Sequence, residues 1–306
     1  HVPVVLLAYD HRELTDFMAR NDTSQLDGLF LWQGDARILL AIVKYVEDRM
    51  NVAHDSGVMG VQVILVVEDN VRFYSSFLPA IYTEVMNHSH SLIPEGINLS
   101  HKLMRIQARP KILLCSTFEE AWACFEAYRD NVLAIISDVE FPREGKLDHE
   151  AGAELARRVK ELQPDIPIML QSSHEENAEL ARGAGASFLV KGSPTFLQHL
   201  RRFMVENFSF GDFVFRLPDG TEVDRARDLK ELEEKLPTVP AESLALHGER
   251  NDFSNWLKAR TEFSLAHRLR PRKVSDFSTL EGLRADLIRS IQEYRAELKQ
   301  GMVADF

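Results

Sequence analysis

From residue 61 onward the chain alternates short, almost unbroken apolar runs with longer stretches in which large apolar residues recur every three or four positions. The runs in "VQVILVVEDN", "KILLCS", "VLAIISD", "IPIMLQSS" and "ASFLV" have the length and branched content of strands buried on both faces. Between them, "VRFYSSFLPAIYTEVM", "TFEEAWACFEAYRD" and "EAGAELARRVKELQ" carry helical spacing, and Pro164 stops the last. Thr117 and Glu120 read as a capping box. Five strands with a helix after each predict an α/β fold over residues 61–207, with a doubly wound five-stranded parallel sheet covered on both faces.

The flanks read differently. "VPVVLLAYD" parallels "IPIMLQSSH", and "FLWQGDARILLAIVKYVED" runs without gaps beside "FLVKGSPTFLQHLRRFMVE". Residues 1–56 therefore repeat the last two strand–helix units of the central domain. Beyond residue 207, "DFVFRLPDGTEV" predicts a hairpin turning at Pro218, Asp219 and Gly220. Residues 208–306 are otherwise helical, a connector region whose last helix has Ser278 and Glu281 as its capping box.

Charge narrows the function. A formal net charge of -11 over 306 residues argues against a general nucleic-acid binder, and "HRLRPRK" (267–273) reads as a solvated or interdomain surface rather than a phosphate-binding patch. No helix-turn-helix with a basic recognition helix is visible. No apolar run approaches the roughly 20 residues of a membrane span. Cys115 and Cys124 lack metal-ligand spacing and read as reduced thiols, so a cytoplasmic protein is expected. The chain begins with His1 rather than Met, so its natural start is expected elsewhere. His88, His90 and His101 read as surface histidines, and His247, Asn251, Asp252 and Trp256 as a buried aromatic with polar neighbours.

The candidate chemistry lies at the carboxyl ends of the strands, where doubly wound sheets bind their ligands. The first strand delivers Glu68 and Asp69, the third Asp138, the fourth Ser172 and Ser173, and the fifth Lys191. Three converging carboxylates call for a cation, and a hard ion such as Mg2+ suits them. With a phosphoryl group on Asp138, the metal, Lys191 and a serine hydroxyl would each take one oxygen.

At these residues the chain resembles the receiver domain of two-component response regulators. "VVEDN" matches the family's first strand and acid pair, "SDVEFP" its phosphoacceptor segment, "PIMLQSS" its switch hydroxyl and "FLVKGS" its lysine. The resemblance implies Asp138 as phosphoacceptor and Mg2+ held by Glu68, Asp69 and Asp138. It makes Ser172 and Lys191 phosphoryl-binding groups and Phe188 the aromatic that follows the serine. Glu140, two residues past Asp138, faces the proposed phosphoryl group and is a candidate for tuning its lifetime. The implied partners are a histidine kinase or phosphotransfer protein and an output domain in the same full-length protein, with a homodimer as a further expectation. No membrane or nucleic-acid partner is expected, and no enzyme activity is implied beyond at most autophosphatase.

Three departures stand out: Gly192 replaces the proline usual after the lysine, "NHSHSLIPEGINLSHKLMRIQARP" is inserted before the second strand, and "EFPREGKLDHEAG" lengthens the loop after Asp138. The insertion has room for an extra helical turn or a lid, and the loop carries Glu144, Asp148 and Glu150 above the site.

Residues 1–56 then resemble the end of a degenerate pseudo-receiver, with Ala8 in place of Ser172 and Gln33 in place of Lys191, while Gly34 matches Gly192. Packing or dimerisation is its expected role, and another segment is expected to complete it. The whole order, with "FRLPDGTEV" and "HGERNDFSNWLKARTEF", resembles the N-terminal regulatory region of bacterial PEP/pyruvate-binding, pyruvate phosphate dikinase-like proteins. Two other readings stay open: a receiver-fold scaffold without phosphotransfer, and a haloacid dehalogenase-type hydrolase, whose second aspartate position is here Glu140.

Overall fold

Five parallel strands form the centre of the fold, and their order follows from the crossovers between them. The computed structural model describes residues 2–23, 25–96, 98–270 and 274–300. Two compact units emerge: His1–Gly57 with Val63–Met86 and Pro110–Arg201, and Val58–Gln62 with Asn87–Arg109 and Arg202–Phe306.

The chain opens with β1 (Val5–Ala8), α1 (His11–Arg20), β2 (Gly28–Leu31) and α2 (Arg37–Met59). The central run follows as β3 (Val63–Val67), α3 (Val71–Leu92), α4 (Leu99–Gln107), β4 (Lys111–Cys115), α5 (Phe118–Ala127) and β5 (Val132–Asp138). After these come β6 (Phe141–Arg143), β7 (Lys146–Asp148), α6 (Ala151–Leu162), β8 (Ile168–Ser172), α7 (Asn177–Gly183), β9 (Ser187–Val190) and α8 (Phe196–Asn207). The sheet order is β4-β3-β5-β8-β9, every pair parallel. This is a doubly wound, flavodoxin-like sheet whose switch point lies between β3 and β5. All five residues of β3 and all seven of β5 are buried, as expected of a sheet covered on both faces.

Helix starts follow local chemistry. The Thr117 hydroxyl accepts from the Glu120 N–H at 3.2 Å, while the Glu120 carboxylate accepts from the Ser116 N–H at 2.8 Å. The reciprocal donor of the box is thus Ser116, one residue earlier than the pattern predicts.

The lengthened loop after Asp138 is not irregular. It forms the antiparallel hairpin β6–β7, turning on Glu144 (φ 53°) and Gly145 (φ 74°). Positive φ at both central residues is the two-residue turn that matches strand twist, more often written Asn-Gly or Asp-Gly.

The N-terminal segment has the predicted strand, helix, strand and long helix, with β1 and β2 parallel. Its helix α2 packs on the central sheet: Val52 joins the main core, and the buried Asp48 carboxylate accepts from the Ile112 N–H at 2.9 Å. That N–H lies on the edge strand β4, so a side chain answers a donor that no neighbouring strand can take. Lys111 on the same edge pairs with Asp55 at 2.6 Å.

In the second unit β10 (Phe213–Arg216) and β11 (Glu222–Ala226) form the predicted hairpin, followed by α9 (Leu229–Lys235), α10 (Ala241–Glu249), α11 (Asp252–Ala259), α12 (Phe263–Leu269) and α13 (Leu280–Lys299). Trp256 is a core residue whose indole donates to the Gly211 carbonyl at 3.1 Å. His247 is held between Asp252 at 2.6 Å and the Arg216 N–H at 2.9 Å, so the cluster is a structural one.

Two expectations are corrected. The cap of α13 is Thr279, which accepts from the Gly282 N–H at 3.1 Å, whereas Glu281 pairs with Arg284. One residue of slip between adjacent Ser and Thr is invisible to a spacing rule. Of the three histidines in the insertion only His90 is exposed. His88 stacks on Phe210 at 4.0 Å between ring centroids, and His101 lies 3.3 Å from the buried Glu262. Glu262 also takes Arg105 at 2.5 Å and the Tyr294 hydroxyl at 2.7 Å. Burial raises its pKa, but these partners outweigh it and hold the carboxylate below its usual value. The insertion therefore forms core structure, extending α3 to Leu92 and adding α4. Of the basic cluster, residues 271–273 lie outside the described residues; Arg268 pairs with Glu297 at 2.7 Å.

Candidate functional site

The ladder carries the first acid into place. The Glu68 N–H donates to the Cys115 carbonyl at 2.9 Å, continuing the strand pattern one residue past β3. Its side chain is thereby fully buried: Oε1 accepts from the Asn70 N–H at 3.2 Å and Oε2 lies 2.5 Å from Lys191 Nζ. Asp138 closes β5, with Oδ1 accepting from the Val139 N–H at 2.7 Å and Oδ2 taking Lys191 Nζ at 2.5 Å.

The Lys191 N–H donates to the Ser172 carbonyl at 2.8 Å, which places it at the end of β9. Its ammonium lies 4.5 Å from the centroid of the Phe73 ring, a cation–π contact from the first turn of α3. Lys191 thus bridges two acids at the ends of two strands. Gly192 follows at φ 74° and Gly34 repeats this at φ 85°, a left-handed turn that favours glycine.

Gly152 lets α6 approach. A Cβ at that position would lie 2.1 Å from the Asp138 carbonyl oxygen, and the Gly152 N–H donates to Val139 O at 2.9 Å. The backbone around the candidate phosphoacceptor is seated directly against the first turn of a helix.

Glu68, Asp69 and Asp138 each offer a carboxylate oxygen, all within 4.8 Å of one another. Burial pushes the Glu68 carboxyl up to about 8, Lys191 partly offsetting this and Asp138 adding to it. Burial and the Asp138 charge likewise raise Asp69. Acids that resist full ionisation together are relieved by a cation, and this all-oxygen donor set fits a hard divalent ion such as Mg2+.

The other predicted residues are placed as follows. The Ser172 hydroxyl accepts from the Asn177 amide at 2.9 Å and the His174 N–H at 3.1 Å, so it is held toward the start of α7. Phe188 is partly buried against the core. Glu140 lies 2.6 Å from His149, Glu150 3.4 Å from Arg157, and Asp148 3.4 Å from Arg143. Glu144 lends its N–H to Glu119 at 3.0 Å. The carboxylates of Glu140, Asp148 and Glu150 are thus engaged with their neighbours.

Sequence reasoning missed Phe73 and Gln171. Phe73 is one apolar residue among many in a helix and gives no signal. Gln171 does give one, as the polar break before the end of an apolar strand.

No protein-family model matches this sequence, nor does any curated protein. Solved structures similar to it include a response regulator receiver domain protein from Clostridium thermocellum, 18% identical with a TM-score of 0.35 over 48% of this chain and 94% of that one. A second is a CheY-like response regulator receiver domain protein from Methanospirillum hungatei JF-1, 18% identical with a TM-score of 0.30 over 48% of this chain and 94% of that one. A third is the chemotaxis response regulator CheY4 of Vibrio cholerae, 21% identical with a TM-score of 0.29 over 46% of this chain and 98% of that one. Among the described residues no helix is long and apolar enough to cross a membrane.

The N-terminal segment touches the start of α3 beside the site. The Gln33 amide donates to the Arg72 carbonyl at 2.6 Å, Leu31 N–H donates to Ser75 Oγ at 3.0 Å, and Tyr74 OH donates to the Leu29 carbonyl at 2.6 Å. Residues 72–75 form the turn of α3 that begins just after Asp69 and Asn70.

Proposed function

We propose that residues 61–207 are a phosphoacceptor receiver in a two-component relay, with Asp138 as the acceptor. The observation that carries this reading is Lys191 Nζ at 2.5 Å from both Glu68 and Asp138, at the carboxyl end of a doubly wound sheet. An Asp138 carboxylate oxygen attacks the phosphorus of a phosphodonor, forming the acyl phosphate P–O bond. The bond from phosphorus to the leaving group breaks, and the leaving group departs with the electron pair. For a phosphohistidine donor the leaving group is the imidazole of a histidine kinase or phosphotransfer protein.

Mg2+ held by Glu68, Asp69 and Asp138 would supply charge neutralisation at the phosphoryl oxygens. Lys191 supplies a second positive charge from the protein itself. Ser172 reaches the phosphoryl group only by leaving Asn177 and His174, and that exchange is the switch, with Phe188 following the hydroxyl. The added charge of about -1.5 to -2 drives it. The chain is a regulatory module rather than an enzyme, acting on an output domain such as a PEP/pyruvate phosphotransferase.

A second reading has its own observation. Gln33 is bonded to the Arg72 carbonyl, so residues 1–56 serve as a packing module that needs no phosphate. Taken alone, that would make the whole chain an interaction scaffold.

The test is intact mass after incubation with acetyl phosphate and Mg2+, beside Asp138→Asn. One added phosphoryl group in the wild type and none in the variant is the expected result. No addition to folded wild type, from acetyl phosphate or a competent phosphodonor protein, would leave the scaffold. Turnover of generic phosphomonoesters would point instead to a hydrolase.

A further inference from the structure

Gln171 occupies a costly position. It lies in β8 after Ile168, Met169 and Leu170, is fully buried, and is the register partner of Asp138 on one side and Leu189 on the other. A position in the middle of a covered parallel sheet would be filled at no polar cost by Val, Ile or Leu. Instead, the Gln171 amide nitrogen points to Glu68 Oε2 at 3.4 Å. Its carbonyl oxygen is buried without a partner among the described residues. Such an orphan acceptor gives up its hydration with no hydrogen bond in return. The cost falls beside the acid cluster, on the cross-strand neighbour of the candidate phosphoacceptor.

We infer that Gln171 is a positioning residue of the cation site: its amide N–H orients the Glu68 carboxylate toward Asp69 and Asp138, and its free oxygen is held for a hydrogen bond from cation-bound water. The inference rests on the receiver reading for the residues that hold the ion. Ligating carboxylates are held by outer partners whose loss typically weakens metal affinity 10–100-fold. Among the described residues Glu68 has two other anchors, Lys191 and the Asn70 N–H, and Lys191 is shared with Asp138.

The test is calorimetric titration of the full chain with Mg2+ alone, with no phosphodonor, on wild type, Gln171→Leu and Gln171→Met. Thermal unfolding is measured in parallel without Mg2+. The expected result is a Kd for Mg2+ raised about tenfold in both variants, with melting temperatures at or above the wild type because the orphan oxygen is gone. Wild-type Mg2+ affinity in the variants would overturn the inference and leave the receiver reading standing. A lowered melting temperature in both variants would also overturn it, since Gln171 would then be serving the fold. No Mg2+ uptake by the wild type would defeat both readings.

Discussion

At the scale of single residues, burial decides which groups carry proton-linked stability. His88 stacks on Phe210 with Nε2 at 2.7 Å from the Ala259 carbonyl, and burial lowers its pKa to about 4. In the unfolded chain a histidine titrates near 6.5. Between these values the unfolded state binds the extra proton, so stability is complete above about pH 6.5 and is lost as pH falls toward about 4. The loss attributable to this one group amounts to about 3 kcal/mol. Urea unfolding at pH 7.5 and pH 4.5 should show a smaller acid-side loss in His88→Phe than in wild type. Equal losses would mean that His88 is not the titrating group. The sequence did not announce this burial, because His88 and Ser89 are polar residues standing where the apolar period of α3 continues from Val85 to Leu92. Asp138 and Lys191 were legible because acids, a hydroxyl and a lysine stand together at the carboxyl ends of successive apolar runs, whereas any one of them alone would read as a cap or a solvated charge.

At the scale of elements, close approach sets the site. The first turn of α6 reaches the Asp138 backbone only because position 152 has no side chain; a Cβ would lie 2.1 Å from Asp138 O and 3.0 Å from Val139 Cα. Gly152→Ala should therefore push α6 outward, lower stability by about 1–3 kcal/mol and slow phosphoryl acceptance at Asp138. Chemical denaturation and the mass assay would read the two effects. An alanine variant as stable and as reactive as wild type would mean that the helix is not seated as described. The five strands and their helices were legible from period and length, since covered parallel strands are unbroken apolar runs. The β6–β7 hairpin was not, because a Glu-Gly turn lacks the Asn or Asp that usually marks it, and its three-residue strands are too short for alternation to register.

At the scale of the whole molecule, the sequence repeat explains more than composition does. Residues 28–45 and 186–203 share a strand, a left-handed glycine and a helix, yet only the second copy keeps the lysine. In the first copy Gln33 bonds to the α3 turn beside the acids. Ala8 and Gln33 already stand in the sequence where the second copy has Ser172 and Lys191. Where the copy would dock was not legible, because the contact runs through backbone carbonyls of Arg72 and Leu29, which no side-chain pattern records.

The central claim is that Asp138 carries the phosphoryl group. The most direct measurement is borohydride reduction of protein treated with acetyl phosphate and Mg2+, followed by peptide mapping by mass spectrometry. An acyl phosphate on Asp138 is reduced to homoserine, so the account predicts that conversion at residue 138 and at no other acid. Unmodified Asp138 with homoserine at Asp69 or another aspartate, with 5-hydroxynorvaline at Glu140, or with no reduced acid in a folded sample, would contradict it.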